Sequence, residues 1–243
     1  MNSSGQHITQ VDFETLYTQL REKEGRIHPD EEVAQLPMVS PAHPHYKEWL
    51  IRKDSSQKLV SWLKKKKKPL DMLEIGCGNG WLSHKLSTIP RSMVIGTDIN
   101  FSEIQQAARV FQHAPNLHFI YTYAEPGIFK EKRFDIVIFA AAIQYFESFP
   151  ETIKNALNWL KQDGEIHILD SPFYSAMEVS PARQRSRDYY ESKGFPGMID
   201  YYFHHSFEEL KKFNYEILYQ PGKLIKRFTG NKNPFPWIVI RST

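Results

Sequence analysis

A chain of 243 residues has room for one large domain or for a domain with an appendage, and its 41% hydrophobic and 24% charged residues are typical of an ordinary globule. Its net charge of +3 is too small to indicate nucleic acid, and no apolar run is long enough to cross a bilayer. The single cysteine excludes an intrachain disulfide and, with an N-terminus that lacks the apolar segment of a signal peptide, predicts a cytoplasmic protein.

The N-terminal part of the chain is predicted to be a helical cover. Residues 8–24 place apolar side chains at helical spacing among polar ones. A stretch rich in proline and histidine follows, and such a composition predicts irregular backbone. Tyr46 to Lys66 is predicted to be helical, with a break near Asp54-Ser55-Ser56 where a new N-cap can form. We assign residues 1–69 to this cover and residues 70–243 to the main domain.

From residue 70 onward, the pattern alternates between strands and helices. The predicted strands are Met72–Ile75, Met93–Thr97, Leu117–Thr122, Phe134–Ala140 and Gly164–Leu169. The predicted helices cover residues 80–88, a segment that begins at Ser102 with Gln105 in the capping-box position, and residues 150–161. This alternation predicts a parallel sheet with right-handed crossovers.

The alternation ends after the fifth strand. One helix is then predicted to begin at Ser180-Pro181 and to end before Gly194. A second, short helix is predicted to be capped by Ser206 with Glu209. Tyr215–Tyr219 and Trp237–Ile240 are predicted to form a closing antiparallel pair of strands. Residues 171–213 between these parts are predicted to be a variable insertion.

The most informative stretch is Leu73-Glu74-Ile75-Gly76-Cys77-Gly78-Asn79-Gly80, an apolar strand that runs into three alternating glycines. Glycines permit positive φ and allow backbone to approach a ligand where a side chain would clash. The helix predicted from Trp81 onward points its N-terminus at the same ligand. This junction predicts a site for a nucleoside-like cofactor.

Trp81 and Glu74 separate two candidate cofactors, whereas Asp98 suits both. A nicotinamide dinucleotide site needs the spacing G-x-G-x-x-G, but Trp81 stands where the third glycine would fall. Asp98, which lies 22 residues after Gly76, is suitably placed to accept hydrogen bonds from ribose hydroxyls of either cofactor. Glu74 favours a cationic ligand over a pyrophosphate, because a carboxylate next to the loop repels phosphate.

Four motifs in order resemble those of class I S-adenosylmethionine-dependent methyltransferases, of the type 11/25-like kind. They are Leu73–Gly80, Asp98, Arg133–Ile138 and Lys161–Glu165. The resemblance covers about residues 70–170. It implies an α/β fold with a Rossmann-like seven-stranded, mostly parallel sheet, one antiparallel edge strand and helices on both faces. It also implies S-adenosylmethionine as the cofactor and S-adenosylhomocysteine as its product.

The resemblance implies cofactor-binding roles for the loop. Gly76, Cys77, Gly78 and Gly80 would pack against the methionine and ribose moieties. Glu74 would lie beneath the loop near the amino group of the cofactor.

It implies further roles at the ends of the later strands. Asp98 would hold the ribose hydroxyls, and Ile99 would touch the adenine. Ala124 and Glu125 match the position that meets the adenine amino group, and Phe139 with Ala140 matches the segment that passes the sulfonium.

The acceptor site is less specified. His204 and His205 lie in the segment expected to roof the acceptor pocket, so they are candidate bases for an oxygen nucleophile. Tyr145 is a third candidate, at a place where many relatives carry histidine. His167, within a strand, is interpreted as a core residue, and no set of residues has the sequence spacing of a metal site.

The expected function is methyl transfer to a small or medium-sized molecule through an oxygen, nitrogen or carbon nucleophile. The lack of basic residues interleaved with aromatic ones argues against a nucleic-acid acceptor. Two alternatives stay open, namely a protein that binds S-adenosylmethionine without turnover and an NAD-dependent oxidoreductase. Trp81 and Glu74 both argue against the oxidoreductase.

Overall fold

A computed structural model describes residues 5–222 and 233–242, with side chains from residue 13 onward. The strands are β1 (Leu70–Ile75), β2 (Ser92–Asp98), β3 (Leu117–Tyr121), β4 (Phe134–Ala140), β5 (Leu160–Leu169), β6 (Tyr215–Tyr219) and β7 (Trp237–Arg241). The helices are α1 (Gly5–Lys23), α2 (Asp30–Val33), α3 (Tyr46–Lys64), α4 (Trp81–Ser87), α5 (Phe101–Val110), α6 (Phe149–Trp159), α7 (Ala176–Lys193) and α8 (Phe207–Leu210). Short 3₁₀ helices occur at Ile143–Tyr145 and Pro196–Tyr201.

The seven strands form one sheet in the order β3-β2-β1-β4-β5-β7-β6. The first five strands pair in parallel, whereas β7 pairs antiparallel with both β5 and β6. The mostly parallel seven-stranded fold is therefore confirmed, with the reversed strand one position in from the edge. The chain order changes direction between β1 and β4, and ligands of such sheets bind at the carboxyl ends of the strands at this point.

Both faces of the sheet are covered. Phe139 on β4 belongs to a core cluster shared with Phe149 and Ile153 of α6. Ile138, the preceding residue of the same strand, belongs to a second cluster that includes Leu63 of α3. Successive side chains of a strand point to opposite faces, so one strand feeds both cores. Full burial of one such side chain contributes about 1.5–3 kcal/mol.

The break predicted near Asp54 is wrong, because helix α3 runs without interruption from Tyr46 to Lys64. Ser55 and Ser56 do not start a new helix. Their hydroxyls donate to the carbonyls of Arg52 and Lys53 one turn back, at 3.1 and 3.0 Å. This bonding lets serine remain inside a helix. Ser55 also donates to Asp170 at 2.7 Å, which anchors α3 to the end of β5.

Two helix starts also differ from the sequence-based prediction. Helix α5 begins at Phe101, and the side chain of Asn100 accepts from the backbone N–H of Glu103 at 3.1 Å, so Ser102 is not the cap. Helix α7 begins at Ala176 behind a capping box of Ser175 and Glu178. A capping box satisfies backbone donors at the first turn, which explains the early start.

The predicted end of α7, the predicted start of α8 and the closing strand pair are confirmed. Helix α7 ends at Lys193, followed by Gly194 at φ 80°, and Ser206 with Glu209 forms the capping box of α8. The strands β6 and β7 pair with each other as expected. Part of the segment between them, residues 223–232, lies outside the described residues.

Helix α1 lies against the carboxyl ends of the strands. Glu14 accepts from the backbone N–H of Phe101 at 2.7 Å, and Thr18 accepts from Asn100 at 3.0 Å, so α1 is tied to the start of α5. Leu20 packs with Met198 and Ile199 of the second 3₁₀ helix. Among the described residues, none of the helices has the length and apolar character that crossing a membrane requires.

Candidate functional site

The loop between β1 and α4 bends back over the end of β2. The backbone N–H groups of Gly76 and Cys77 both donate to the Thr97 carbonyl, at 2.8 and 3.0 Å. Gly76 has φ 73°, and a Cβ added there would lie 2.6 Å from the Cβ of Ala142. Only glycine fits both the conformation and the space.

A cavity of about 270 Å³ opens beside this loop at the ends of β1, β2 and β4. Its lining includes Gly76, Gly78, Asp98, Ile99 and Ala124, five of the residues that the resemblance implies. We call this space the adenosine cavity, after the part of the cofactor that we expect in it.

Asp98 is fixed by the backbone at the floor of the adenosine cavity. One carboxylate oxygen accepts from the N–H of Gly78 at 2.7 Å and the other from the N–H of Asn100 at 2.8 Å. Burial raises the pKa of Asp98 although these donors oppose the shift. Each oxygen keeps a lone pair, so Asp98 can accept two further hydrogen bonds from adjacent hydroxyls.

A second, smaller cavity of about 100 Å³ lies on the other side of the glycine loop, and we call it the methionine cavity. Glu74, Cys77, Glu103 and Ala140 are among its lining residues. Glu74 accepts from the Ser83 hydroxyl at 2.5 Å, and burial raises its pKa to about 8. Burial and the nearby Asp98 carboxylate raise the pKa of Glu103 to about 7.

Burial thus disfavours the charged form of all three acids around the loop and raises their pKa values. A cationic ligand reverses this preference, because an opposite charge nearby favours the carboxylate. The site is thus electrostatically suited to a positively charged ligand and unsuited to a pyrophosphate.

Cys77 has the environment of a packing residue. Its thiol is buried, and burial together with the acids Asp98, Glu74 and Glu103 raises its pKa well above the ordinary value. Reactive cysteines need the opposite surroundings, which stabilise the thiolate.

Three residues implied by the resemblance do not line these cavities. Gly80 caps α4 in the left-handed conformation, and an added Cβ would lie 2.5 Å from Phe119, so it serves close packing of helix on sheet. The ring of Phe139 is fully buried against Phe146, which leaves only Ala140 of that pair in the methionine cavity. Glu125 is exposed in the loop after β3.

A third cavity, of about 540 Å³, adjoins the first two, and we call it the acceptor cavity. Ala141 lines all three spaces, and Tyr145 lines both the acceptor and adenosine cavities. Ala141 has φ 55° and Asp170, at the end of β5, has φ 52°. Strained backbone of this kind clusters at functional sites. The junction of the cavities is therefore at the ends of β4 and β5.

The candidate histidines lie behind the wall of the acceptor cavity. His205 is buried, and its Nε2 lies 3.0 Å from the Ile143 carbonyl. His204 Nε2 lies 2.8 Å from the hydroxyl of Ser186, and burial lowers the pKa of His204 to about 4. Neither residue is part of the described lining. Their catalytic role stays a prediction, whereas Tyr145 lies where the cavities meet.

His167 is part of a core network, as interpreted from the sequence. It is fully buried, its Nδ1 accepts from the Trp237 indole at 3.1 Å, and its Nε2 lies 3.2 Å from Glu165. Because Nδ1 accepts a hydrogen bond, the ring proton lies on Nε2, which donates to Glu165, and burial lowers the pKa of the ring.

Among the described residues, the fold brings together one cluster with metal-ligand geometry that sequence spacing does not reveal, His28 with Glu32 and His43. The Nδ1 of His43 accepts from the backbone N–H of His45 at 3.0 Å. A neutral His43 ring therefore carries its proton on Nε2, which lies 2.8 Å from Glu32 and is the atom that would bind a metal. This arrangement fits a hydrogen bond from the neutral His43 ring to Glu32 within the N-terminal cover.

Sequence reasoning missed the residues that the N-terminal cover contributes. Tyr17 lines both the adenosine and the methionine cavities, and Arg21 and Arg52 line both the methionine and the acceptor cavities. Arg21 donates to the hydroxyl of Tyr145 at 3.4 Å. These residues belong to no local motif, because helix packing alone brings them to the site.

Comparisons with known proteins agree with this geometry. Residues 72–164 match the family described as methyltransferase domain. A malonyl-[acyl-carrier protein] O-methyltransferase of Halalkalibacterium halodurans is 26% identical over 123 residues, which is 47% of this chain and 45% of that protein. The chain thus aligns with about half the length of this curated relative.

Two solved structures share the fold. The CurJ carbon methyltransferase superposes with a TM-score of 0.60 at 17% identity, over 100% of this chain and 72% of that one. The plantazolicin methyltransferase BpumL, solved in complex with a triazolic desmethylPZN analog and S-adenosylhomocysteine, superposes with a TM-score of 0.57 at 16% identity, over 97% and 99% of the two chains.

The fold and the cleft are those of Rossmann-like proteins that bind a nucleoside cofactor at the switch point of the sheet. The family match then specifies the class for residues 72–164, which are similar to the methyltransferase domain of class I S-adenosylmethionine-dependent enzymes. S-adenosylmethionine is the cofactor of this class.

Proposed function

We propose that the protein is an enzyme that transfers a methyl group from S-adenosylmethionine to a medium-sized acceptor bound in the acceptor cavity. The observation that carries this proposal is the junction at Ala141 and Tyr145, where a cofactor-sized cleft meets a separate cavity of about 540 Å³. Cavities of this size hold typical small-molecule ligands. The proposal explains why the adenosine cavity opens into the acceptor cavity at Ala141 and Tyr145.

The residues present fit this cofactor. Asp98 would accept from the two ribose hydroxyls, and the Gly76 backbone would lie against the ligand, where a side chain has no room. Glu74 and Glu103 would face the ammonium and sulfonium charges, with Arg52 as the partner of the carboxylate. Each charged group of the cofactor thus has a complementary side chain in the described lining.

When bound, S-adenosylmethionine supplies a methyl group on a positively charged sulfur, and an acceptor lone pair forms the new bond while the sulfur–carbon electrons return to sulfur. The protein's contribution is orientation, because the acceptor atom, carbon and sulfur must lie in line. If the acceptor atom carries a proton, that proton passes to a base or to water. Tyr145 is the candidate nearest to the junction for positioning the acceptor.

The name of the aligned relative suggests one acceptor chemistry. Oxygen methylation of a malonyl thioester is what that name describes. We extend to this chain only the general expectation of a small or medium-sized acceptor, in a cytoplasmic setting that the single cysteine favours.

Titration calorimetry tests the cofactor and separates it from a nicotinamide dinucleotide. We expect a saturable heat signal with S-adenosylhomocysteine and none with NADH. Binding of NADH alone would support the oxidoreductase alternative and overturn the proposal.

Turnover separates the enzyme from a protein that only binds the cofactor. The protein is incubated with methyl-labelled S-adenosylmethionine and fractionated metabolite pools, and transfer of label is followed together with release of S-adenosylhomocysteine. Label in a product supports the enzyme. Binding without label transfer from any pool would favour the non-catalytic alternative.

A further inference from the structure

The acceptor cavity has an unusual set of charged residues. Four arginines line it, and they are Arg21, Arg26, Arg52 and Arg185. The lining contains three acids, which are Glu24, Glu48 and Asp170. No lysine occurs in the described lining. The balance of charge inside the cavity therefore depends on how these groups pair.

Two of the acids are already used by three of the arginines. Glu24 lies 3.3 Å from Arg21 and 3.0 Å from Arg26, and Glu48 lies 2.6 Å from Arg26 and 3.0 Å from Arg52. Burial opposes ionisation of Glu48, but Arg52 and Arg26 outweigh it and lower its pKa to about 2. Each carboxylate is thus shared by two guanidinium groups. The residues form a row in the order Arg21, Glu24, Arg26, Glu48 and Arg52, which begins and ends with a cation.

The third acid is bound by neutral side chains and forms no ion pair within the described residues. Asp170 is buried, accepts hydrogen bonds from Ser55 at 2.7 Å and Asn233 at 3.1 Å, and has its pKa raised by burial. Arg185, on α7, is an exposed residue at the edge of the lining and forms no ion pair with any residue in the described part of the chain. The lining consequently holds more guanidinium groups than carboxylates, and Arg185 is available for a ligand.

The rest of the wall is aromatic and can donate hydrogen bonds. Tyr145, Tyr174, Tyr190 and Tyr202 line the same space, and burial raises the pKa of Tyr174 and Tyr202, which keeps their hydroxyls protonated. The side-chain oxygen of Gln144 is buried and accepts no hydrogen bond from the described residues. Such a wall suits a ligand with a flat or apolar body, an anionic end and a hydrogen-bond donor.

We propose that the methyl acceptor is a medium-sized organic anion, and that Arg185 binds its carboxylate or phosphate group inside the acceptor cavity. This inference rests on the proposed function and specifies its substrate class. Arginine suits the role because its planar donor pair matches both carboxylate and phosphate oxygens. The paired arginines at the base of the cavity add a positive field that repels cationic acceptors.

The test uses the full chain saturated with S-adenosylhomocysteine and pairs of probes that differ in charge. The pairs are indole-3-acetate with indole-3-acetamide, 4-hydroxyphenylacetate with its amide, and phenyl phosphate with its dimethyl ester. Thermal shift and calorimetry measure binding. We expect the anion of at least one pair to bind at least tenfold more tightly than its neutral partner, and added salt to weaken the binding.

Arg185→Gln should weaken binding of the preferred anion about fivefold to tenfold, as expected for loss of a charge-assisted hydrogen bond. It should leave the affinity for S-adenosylhomocysteine unchanged. Arg183→Gln is the matched control, since Arg183 is exposed on the same helix and is not part of the described lining. That variant should bind the anion like the wild type.

The outcomes are distinct. Preference for the acid in a carbon-based pair assigns a carboxylate acceptor, whereas preference for phenyl phosphate assigns a phosphate ester. Equal binding of charged and neutral probes, preference for neutral ones, or failure of every anion to bind would overturn the proposal. Failure to bind S-adenosylhomocysteine would instead count against the proposed function, so the two failures are separable.

Discussion

The buried carboxyl group of Glu74 indicates that the ligand of this site carries a positive charge. Glu74 is 2% exposed and forms no ion pair within the described residues. A buried carboxylate without a counter-ion is costly, so the free protein favours its neutral form. A raised pKa in an acid also means that folding stability falls as the pH rises from the unfolded value near 4.5 towards 8. A bound cation removes this cost.

We predict that the affinity for S-adenosylmethionine rises between about pH 6 and pH 7.5. Glu74, with a pKa of about 8, is largely protonated in the free protein over this range. A cationic ligand lowers that pKa, so binding releases a proton. Calorimetry in phosphate and in Tris, two buffers with different ionisation enthalpies, measures the proton release directly.

Glu74→Gln provides the control, because the amide keeps the shape of the side chain but cannot ionise. It should bind more weakly at pH 7.5 and show a smaller rise with pH. Affinity that is flat or falls across this range in the wild type would show that the acids do not face the positive charges.

Asp98→Asn is predicted to lower the affinity for S-adenosylhomocysteine by about tenfold or more, the effect of weakening hydrogen bonds to a charged acceptor. The fold should persist, since the amide oxygen still accepts from the Gly78 backbone and only the bond from the Asn100 backbone is lost. Calorimetry and thermal unfolding check both parts. Asp163→Asn, at a turn of positive φ, is the control, and an Asp98 variant with wild-type affinity would remove this residue from the site.

Among the elements, the loop from β1 to α4 contains a glycine that is required because a side chain has no room there. Gly76 and Gly127 both have positive φ, at 73° and 86°. A Cβ at Gly76 would lie 2.6 Å from Ala142, whereas a Cβ at Gly127 meets nothing within 4 Å. The pair therefore separates backbone strain from loss of space.

Gly76→Ala is predicted to destabilise the protein by about 2–4 kcal/mol, as backbone strain and overpacking add. It should also abolish measurable binding of S-adenosylhomocysteine. Gly127→Ala should cost about 1 kcal/mol and leave binding intact. Chemical denaturation and calorimetry measure the two effects, and equal behaviour of the two variants would contradict the tight approach at Gly76.

The helices show where local sequence signals fail. The polar pair Ser55-Ser56 favours a helix start, but in α3 both side chains are buried and bond to carbonyls of the preceding turn. Tertiary packing thus outweighs the local preference. In contrast, the C-terminus of α7 at Gly194 and the N-terminus of α8 at the Ser206–Glu209 box agree with the local sequence signals. These signals act within one turn, so tertiary packing does not override them.

For the molecule as a whole, the sequence predicts the sheet and the floor of the cofactor cleft, since both depend on short-range patterns. The glycine loop and Asp98 are separated along the chain, yet each follows a strand, and neighbouring parallel strands bring their ends together. The residues that the helices contribute to the upper side of the cleft could not be predicted in this way. Tyr17, Arg52 and Arg185 reach the site from three different helices, through contacts that no periodicity encodes.

A crystal structure of the protein with S-adenosylhomocysteine tests the central claim most directly. We predict electron density for the ribose within hydrogen-bond distance of the Asp98 carboxylate, the adenine beside Ile99, and the amino acid end in the cavity that contains Glu74 and Arg52. Ligand density at any other place on the molecule would contradict the account.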